Sequence, residues 1–137
     1  MNSHLQLNDK DLETHFSECT LDPGLFVHEA HLRLAWIHVI KYGSEKAAKN
    51  LCEQIARFDQ TFGNGTKFNT TVTIASVKVI EHFVQKSVSD SFTDFMNEFP
   101  HLRTNFKDLL AFHYGINIFT DEKAKNTYLE PDLMPFE

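Results

Sequence analysis

The chain has 137 residues, and 42% of them are hydrophobic, including thirteen phenylalanines. This length accommodates one domain with its own core, and four prolines and five glycines are too few for a disordered chain. The net charge is −6 without any lysine or arginine run, so the electrostatic footprint of nucleic-acid binding is absent. We therefore expect a single folded domain over residues 1–137 that does not bind nucleic acid.

The sequence also predicts where the protein resides. Cys19 and Cys52 stand alone without CxxC spacing, which favours reduced thiols over a disulfide framework. The first residues have neither the basic nor the apolar region of a secretory signal. The longest apolar stretch, residues 26–40, contains His, Glu and Arg and falls short of the roughly 20 apolar residues of a membrane span. These features predict a cytoplasmic protein that does not enter the membrane.

The chain begins with a short lead-in and two helix-start signals. Residues 1–7 are expected to be loose, and Asn8 can cap a short helix through about residue 17. Asp22 can cap the next helix, with Pro23 in the first helical position.

Residues 26–40 read as the central helix of the domain, because they are apolar on nearly every side. Gly43 is a suitable C-terminal stop. We expect Leu34 and Trp36 in this helix to be largely buried.

Three histidines lie on this otherwise apolar helix. At 100° per residue, His28, His31 and His38 share one side. Glu29 and Arg33 lie four apart on another side, a spacing that predicts a helical ion pair. Buried polar groups need partners, since an unpaired one costs about 1–3 kcal/mol. The histidines are therefore the first place to look for function.

The rest of the chain also predicts helices. Residues 44–62 have the i, i+3, i+4, i+7 apolar stripe of an amphipathic helix. Residues 70–80 are rich in β-branched side chains and would suit a strand. We predict a helix beginning at Asn69 or Thr70, since the apolar pattern exceeds about 15 residues and no partner strand is visible. Shorter helices are expected from Ser89 or Ser91 to about residue 99, over 103–114 and over 120–126.

An all-α bundle of about five or six helices follows from this pattern. The last segment, residues 127–137, contains two prolines and cannot be helical. Its apolar residues predict that it lies extended on the surface of the bundle.

Three motifs resemble those of a family of small, uncharacterised bacterial proteins. The first is F-x-H-x-x-H-x-R-x-A-W, here residues 26–36, and the second is K-[YF]-[HN]-x-T-[IV]-T, here residues 67–73. The third is the ending E-P-D-L-x-P, here residues 130–135. The resemblance covers roughly residues 12–136 and supports the helical boundaries, but it implies no particular activity. The middle motif has Asn69 where the family often has histidine.

His28 and His31 are spaced to bind one divalent metal ion, because side chains three or four residues apart on a helix share a face. The known H-E-x-x-H motif has one more residue between its histidines. Two histidines need further ligands, or else they simply bond to backbone carbonyls. The candidate further ligands are His38, Asn69, Glu81, His82 and Asp132.

Acid–base or ligand-binding chemistry needs only one histidine near a bound molecule. Thr70, Thr71 and Thr73 could supply hydroxyl partners at the start of a helix whose free N–H groups suit a small anion. The alternative is plain N-capping by Asn69 and the threonines, which is the better interpretation.

Two functions remain open at this point. In the first, His28 and His31, helped by His38, Asn69 and Thr73, line a pocket for a small molecule or metal, and the C-terminal tail closes it. In the second, the histidines are structural and the protein is a non-enzymatic interaction domain or homodimer. Catalytic activity is left open by the sequence.

Overall fold

The computed structural model describes residues 3–136, and within them every regular element is helical, which confirms the all-α class. Eight α-helices occur in this range, compared with the five or six expected, and five of them have seven or more residues. Short 3-10 turns lie at His4–Gln6 and Pro23–Leu25. No described helix has the length and apolarity needed to cross a membrane. The helices are α1 (Asp9–Ser17), α2 (His28–Tyr42), α3 (Ser44–Phe62), α4 (Thr70–Lys86), α5 (Phe92–Glu98), α6 (His101–Thr104), α7 (Phe106–Ala111) and α8 (Glu122–Asn126).

Helix α2 is the centre of the fold, as the sequence predicted, and packs against α1, α3, α4 and α6. Leu34 and Trp36 are 1% and 5% exposed, which confirms their expected burial. The expected start at Pro23, with Asp22 as its cap, is wrong for this helix, since Pro23–Leu25 forms a separate 3-10 turn that Asp22 caps. The helix begins at His28, two residues after the start of the apolar stretch, because Phe26 has non-helical backbone angles (φ −87°, ψ 64°). It ends where Gly43 adopts φ +83°, a conformation that costs glycine little.

Helices α3 and α4 pack against α2 and against each other. Ala47, Leu51 and Phe58 are buried along the apolar side of α3. Residues 70–80 belong to a helix, not a strand, and Asn69 caps it by accepting a hydrogen bond from the Val72 N–H at 2.9 Å.

The single helix expected over residues 103–114 is instead two short helices, α6 and α7, separated by Asn105 (φ −132°, ψ 30°). The Asn105 side chain accepts a hydrogen bond from the Thr104 hydroxyl at 2.7 Å, and such local bonding of asparagine competes with a helical backbone. Leu102, Phe106 and Leu110 are nevertheless all buried.

The C-terminal segment lies extended on the bundle, as expected, with Glu137 outside the described residues. The Thr71 hydroxyl donates to the Thr127 carbonyl at 2.7 Å and accepts from the Leu129 N–H at 3.0 Å. Farther along, the Asp132 carboxylate accepts from the Gly115 N–H at 2.8 Å. These bonds fix the segment to α4 and to the loop after α7.

The expected loose lead-in is wrong for residues 3–7, while Met1 and Asn2 lie outside the described residues. His4 is 2% exposed, and the Arg33 guanidinium donates to the carbonyl oxygens of His4 and Leu7 at 2.8 Å each. The segment is ordered because α2 provides donors for its backbone.

The helical ion pair expected between Glu29 and Arg33 is not formed. Arg33 instead binds the carboxylate of Asp9 at 2.8 Å, and Glu29 contacts His4 at 3.1 Å and Arg103 at 3.2 Å. Partners from other segments are available to both side chains, so the weak local pair has no advantage.

Candidate functional site

A cavity of about 150 Å³ lies between α2, α3 and α4. Its wall is mostly apolar, and four polar side chains that line it come from α2 and α4, namely His28, His31, Thr73 and Ser76. We call it the histidine cavity. The remaining lining residues are Leu32, Ala35, Leu51, Ile55, Val72, Val77, Phe106, Lys107 and Phe119.

The cavity lies between α2, which contains the predicted His28 and His31, and α4, which contains the predicted Thr73. The expectation that the C-terminal tail closes it is wrong. Phe106 and Lys107 of α7 and Phe119 of the following loop line its outer side instead. The tail is held elsewhere, by Thr71 and by the loop after α7.

His28 lies at the edge of the cavity, on the side of α6 and α7. Its Nε2 is 3.4 Å from the carbonyl oxygen of Leu102, and its ring meets the Phe106 ring edge-on with centroids 5.4 Å apart. A carbonyl oxygen only accepts, so in this arrangement Nε2 carries the proton and Nδ1 is left as an acceptor.

His31 stacks on Phe26, with ring centroids 3.7 Å apart and planes 13° from parallel. Among residues 3–136, neither of its ring nitrogens has a hydrogen-bond partner. Surrounding protein atoms, and to a lesser extent the charge of His28, lower the pKa of His31 below its usual 6.5. More than a third of the residue is still exposed, and contact with water limits this lowering. A neutral His31 offers one donor and one acceptor.

The two rings therefore line one cavity, as their three-residue spacing predicts, but each has a different neighbour. His28 faces the Leu102 carbonyl and His31 faces Phe26. Within residues 3–136 no group of three His, Cys, Asp or Glu side chains is placed to bind a metal ion. The pair lacks the third protein ligand that a zinc site normally has.

His38 does not lie at this site, although it was expected there. It is ten residues along α2 from His28, which is about 15 Å at the helical rise. Its side chain is 1% exposed, with Nδ1 3.4 Å from the amide nitrogen of Asn50 and its ring 5.3 Å from that of Tyr42. Burial lowers the pKa of His38. The 3.6-residue period predicts which side of α2 His38 is on, but it does not take account of the distance along the helix axis that separates His38 from the cavity.

Asn69 is also outside the cavity lining, because both ends of its side-chain amide have other partners. Its Oδ1 caps α4, and its Nδ2 donates to the Ile118 carbonyl at 2.8 Å. Thr73 does line the cavity, and its hydroxyl donates to the Asn69 carbonyl at 2.8 Å. The capping interpretation of this segment is confirmed.

The sequence interpretation named three of the thirteen lining residues, His28, His31 and Thr73, and missed the other ten. Ser76 follows Thr73 by three residues, so its position on the same face of α4 could have been inferred. Phe106, Lys107 and Phe119 come from α7 and the next loop, and no local pattern predicts that they meet α2.

A second concavity, of about 280 Å³, adjoins His31. We call it the Phe26 groove, and Phe26, Phe58, Phe62 and Lys67 are among the residues that line it. His31 and Ile55 line both concavities. The ring of His31 thus lies between the groove and the histidine cavity.

Searches for related proteins found no match to any family model, curated protein or solved structure. The resemblance to a bacterial family therefore stays a prediction from the three motifs.

Proposed function

We propose that the protein binds a small organic molecule with an apolar body in the histidine cavity. The observation that carries this proposal is the convergence of His28, His31, Thr73 and Ser76 on one cavity whose wall is mostly apolar. Apolar concavities with a few convergent polar groups are the usual form of small-molecule sites.

The volume limits the ligand to a small molecule. A cavity of about 150 Å³ elsewhere accommodates benzene, and the histidine cavity has a similar volume, about 150 Å³. The part of the ligand inside the cavity is therefore about the size of one six-membered ring.

The polar groups can orient such a ligand. Since Nε2 of His28 is directed at the Leu102 carbonyl, its Nδ1 is free to accept a hydrogen bond. His31 can donate or accept, and the Thr73 hydroxyl, which already donates to Asn69, keeps its acceptor lone pairs. The wall provides the binding energy and these groups select the orientation.

The experiment is a titration of the ¹⁵N-labelled protein with benzamide, followed by NMR. We expect the amide signals of Ser76 and Val77 to shift with saturable binding. Ala35→Leu and, independently, Ser76→Leu place extra side-chain volume in the cavity and should abolish the shifts. Ala56→Leu, a similar change on α3 outside the cavity lining, should leave them intact. Binding that survives both cavity variants would overturn the proposal.

One observation favours the alternative of an interaction surface. Phe112, Leu133 and Met134 are 67%, 62% and 47% exposed, and they adjoin one another where the Leu133 N–H binds the His113 carbonyl at 3.0 Å. Exposed apolar groups in one patch are typical of protein–protein contacts.

We propose, as this second candidate, that the patch pairs two copies of the chain. Sedimentation analysis should then show a dimer that Phe112→Ser dissociates. The control is Val88→Ser, which changes an apolar residue that is 90% exposed. A monomer at all concentrations would contradict this candidate and leave the ligand-binding proposal untouched.

A further inference from the structure

The charged and titratable groups that line the histidine cavity are all basic. They are His28, His31 and Lys107, and none of the lining residues within 3–136 is an aspartate or glutamate. The chain as a whole has 19 acidic against 13 basic residues, excluding histidine. The cavity therefore has the opposite charge balance to the protein that surrounds it.

Lys107 is placed at the boundary between the cavity and solvent. It lines the histidine cavity and also the open groove outside it, together with His28. Its Nζ lies 5.2 Å from the centroid of the Phe119 ring, a cation–π distance. Phe119 also lines the cavity, so this contact holds the ammonium group beside a residue of the cavity wall.

The open groove outside the cavity is also lined mainly by basic side chains, with one acidic exception. Arg103 lines it beside His28 and Lys107, and the carboxylate of Asp108 is the acidic group there. Asp108 accepts a long hydrogen bond of 3.5 Å from the Asn105 amide, and it is absent from the cavity lining. Arg103 is already paired with the Glu29 carboxylate at 3.2 Å, so His28 and Lys107 are the further basic side chains of the approach, against the carboxylate of Asp108.

We infer that the ligand of the histidine cavity is a small amphipathic carboxylate, whose apolar body fills the cavity and whose anionic group binds Lys107 at the opening. This inference rests on the proposed function and adds the charge class of the ligand. The carboxylate remains near water, so little desolvation opposes its ion pair with Lys107. A neutral His31 has one ring N–H that can donate a further hydrogen bond to the carboxylate, which accepts on both oxygens.

The test uses three probes of nearly the same shape, which are benzoate, neutral benzamide and cationic benzamidine. Dissociation constants come from the NMR shifts of the Ser76 and Val77 amides at neutral pH. We expect benzoate to bind about fivefold more tightly than benzamide, as one partly exposed ion pair provides. Benzamidine should bind more weakly than either. High salt should reduce the benzoate preference.

Two variants test whether the charge of Lys107 causes the preference for benzoate over benzamide. Lys107→Gln should bring benzoate to the affinity of benzamide, while Lys10→Gln, the same charge change at an exposed residue of α1, should leave the preference intact. Equal binding of benzoate and benzamide to the unaltered protein would overturn the inference and leave the proposed function standing. A benzoate preference that persists in Lys107→Gln would also overturn it. If no probe shifts the cavity signals, the proposed function itself fails.

Discussion

The guanidinium of Arg33 donates a hydrogen bond to the ring Nδ1 of His4 at 3.2 Å. A nitrogen that accepts from Arg33 has no proton, so the proton of His4 is on Nε2, which lies 3.1 Å from the Glu29 carboxylate. His4 is thus a neutral bridge between a cation and an anion of α2. The ring also meets Phe92 of α5 at 6.2 Å.

Replacing Arg33 with methionine should release the N-terminal segment. The carbonyls of His4 and Leu7 would lose their donors, and we expect a loss of about 2–3 kcal/mol in the free energy of unfolding. Hydrogen exchange of residues 3–7 should accelerate. Asp9→Asn is the control and should cost less than about 1 kcal/mol, because the Asp9 side chain is 49% exposed. Equal losses in urea unfolding would contradict this assignment.

Stability should depend on pH through His4. Burial and the charge of Arg33 outweigh Glu29 and lower the pKa of His4 below 6.5. Between 6.5 and that lower value the unfolded chain binds a proton that the folded chain does not, so stability falls as the pH falls. The loss is complete once the pH is below the folded-state pKa.

The measurement is the free energy of unfolding by urea between about pH 7 and about pH 5. His31 and His38, whose pKa values are also lowered, contribute to the same fall. His4→Asn should therefore reduce the slope without removing it. His101→Asn, a change at an exposed residue of α6, should leave the slope unchanged. An unaltered slope in His4→Asn would refute the role of His4.

Trp36→Ala should cost about 3–5 kcal/mol. The indole is 5% exposed and lies against the rings of Phe92 and Phe95, with centroids 6.0 and 6.3 Å away. Ile40→Ala on the same helix removes a side chain that is 55% exposed, and it should change stability by less than about 0.5 kcal/mol. A loss below about 1 kcal/mol for Trp36→Ala would remove α2 from the centre of the fold.

Thr71→Val should loosen the C-terminal segment. Valine has a similar shape but leaves the Thr127 carbonyl and the Leu129 N–H without their partner, at a cost of about 1–3 kcal/mol. The Leu129 amide should exchange faster with solvent. Thr73→Val is the matched control, because within residues 3–136 the Thr73 hydroxyl bonds to the Asn69 carbonyl at the start of its own helix and not to the C-terminal segment. Unchanged exchange at Leu129 would show that the segment is held by other contacts.

The features that could be predicted from the sequence are those that depend on residues close together in the chain. The apolar stripe predicted α3 over residues 44–62, and Asn69 was recognised as a capping residue. The spacing of His28 and His31 placed both on one cavity.

Long-range partners could not be predicted in this way. Arg33 prefers Asp9 and His4 to the nearby Glu29, and residues 3–7 show no periodicity that would signal their burial. Lys107 reaches the cavity only because α6 and α7 fold back onto α2 and α4. Such contacts depend on how distant helices pack, and a single sequence contains no local signal for them.

The anchoring of residues 3–7 and of the segment after α8 has a consequence for the order in which the protein folds during synthesis. Arg33 holds a segment 29 residues before it, and Thr71 holds one 56 residues after it. Helices α2, α3 and α4 are consecutive and pack on one another, so they can assemble while the rest of the chain is still being translated. The partners of Thr71, the Thr127 carbonyl and the Leu129 N–H, leave the ribosome much later, and until then its hydroxyl lacks both of them. We therefore expect α2, α3 and α4 to pack together in the nascent chain well before Thr127 and Leu129 bind Thr71 in the first turn of α4.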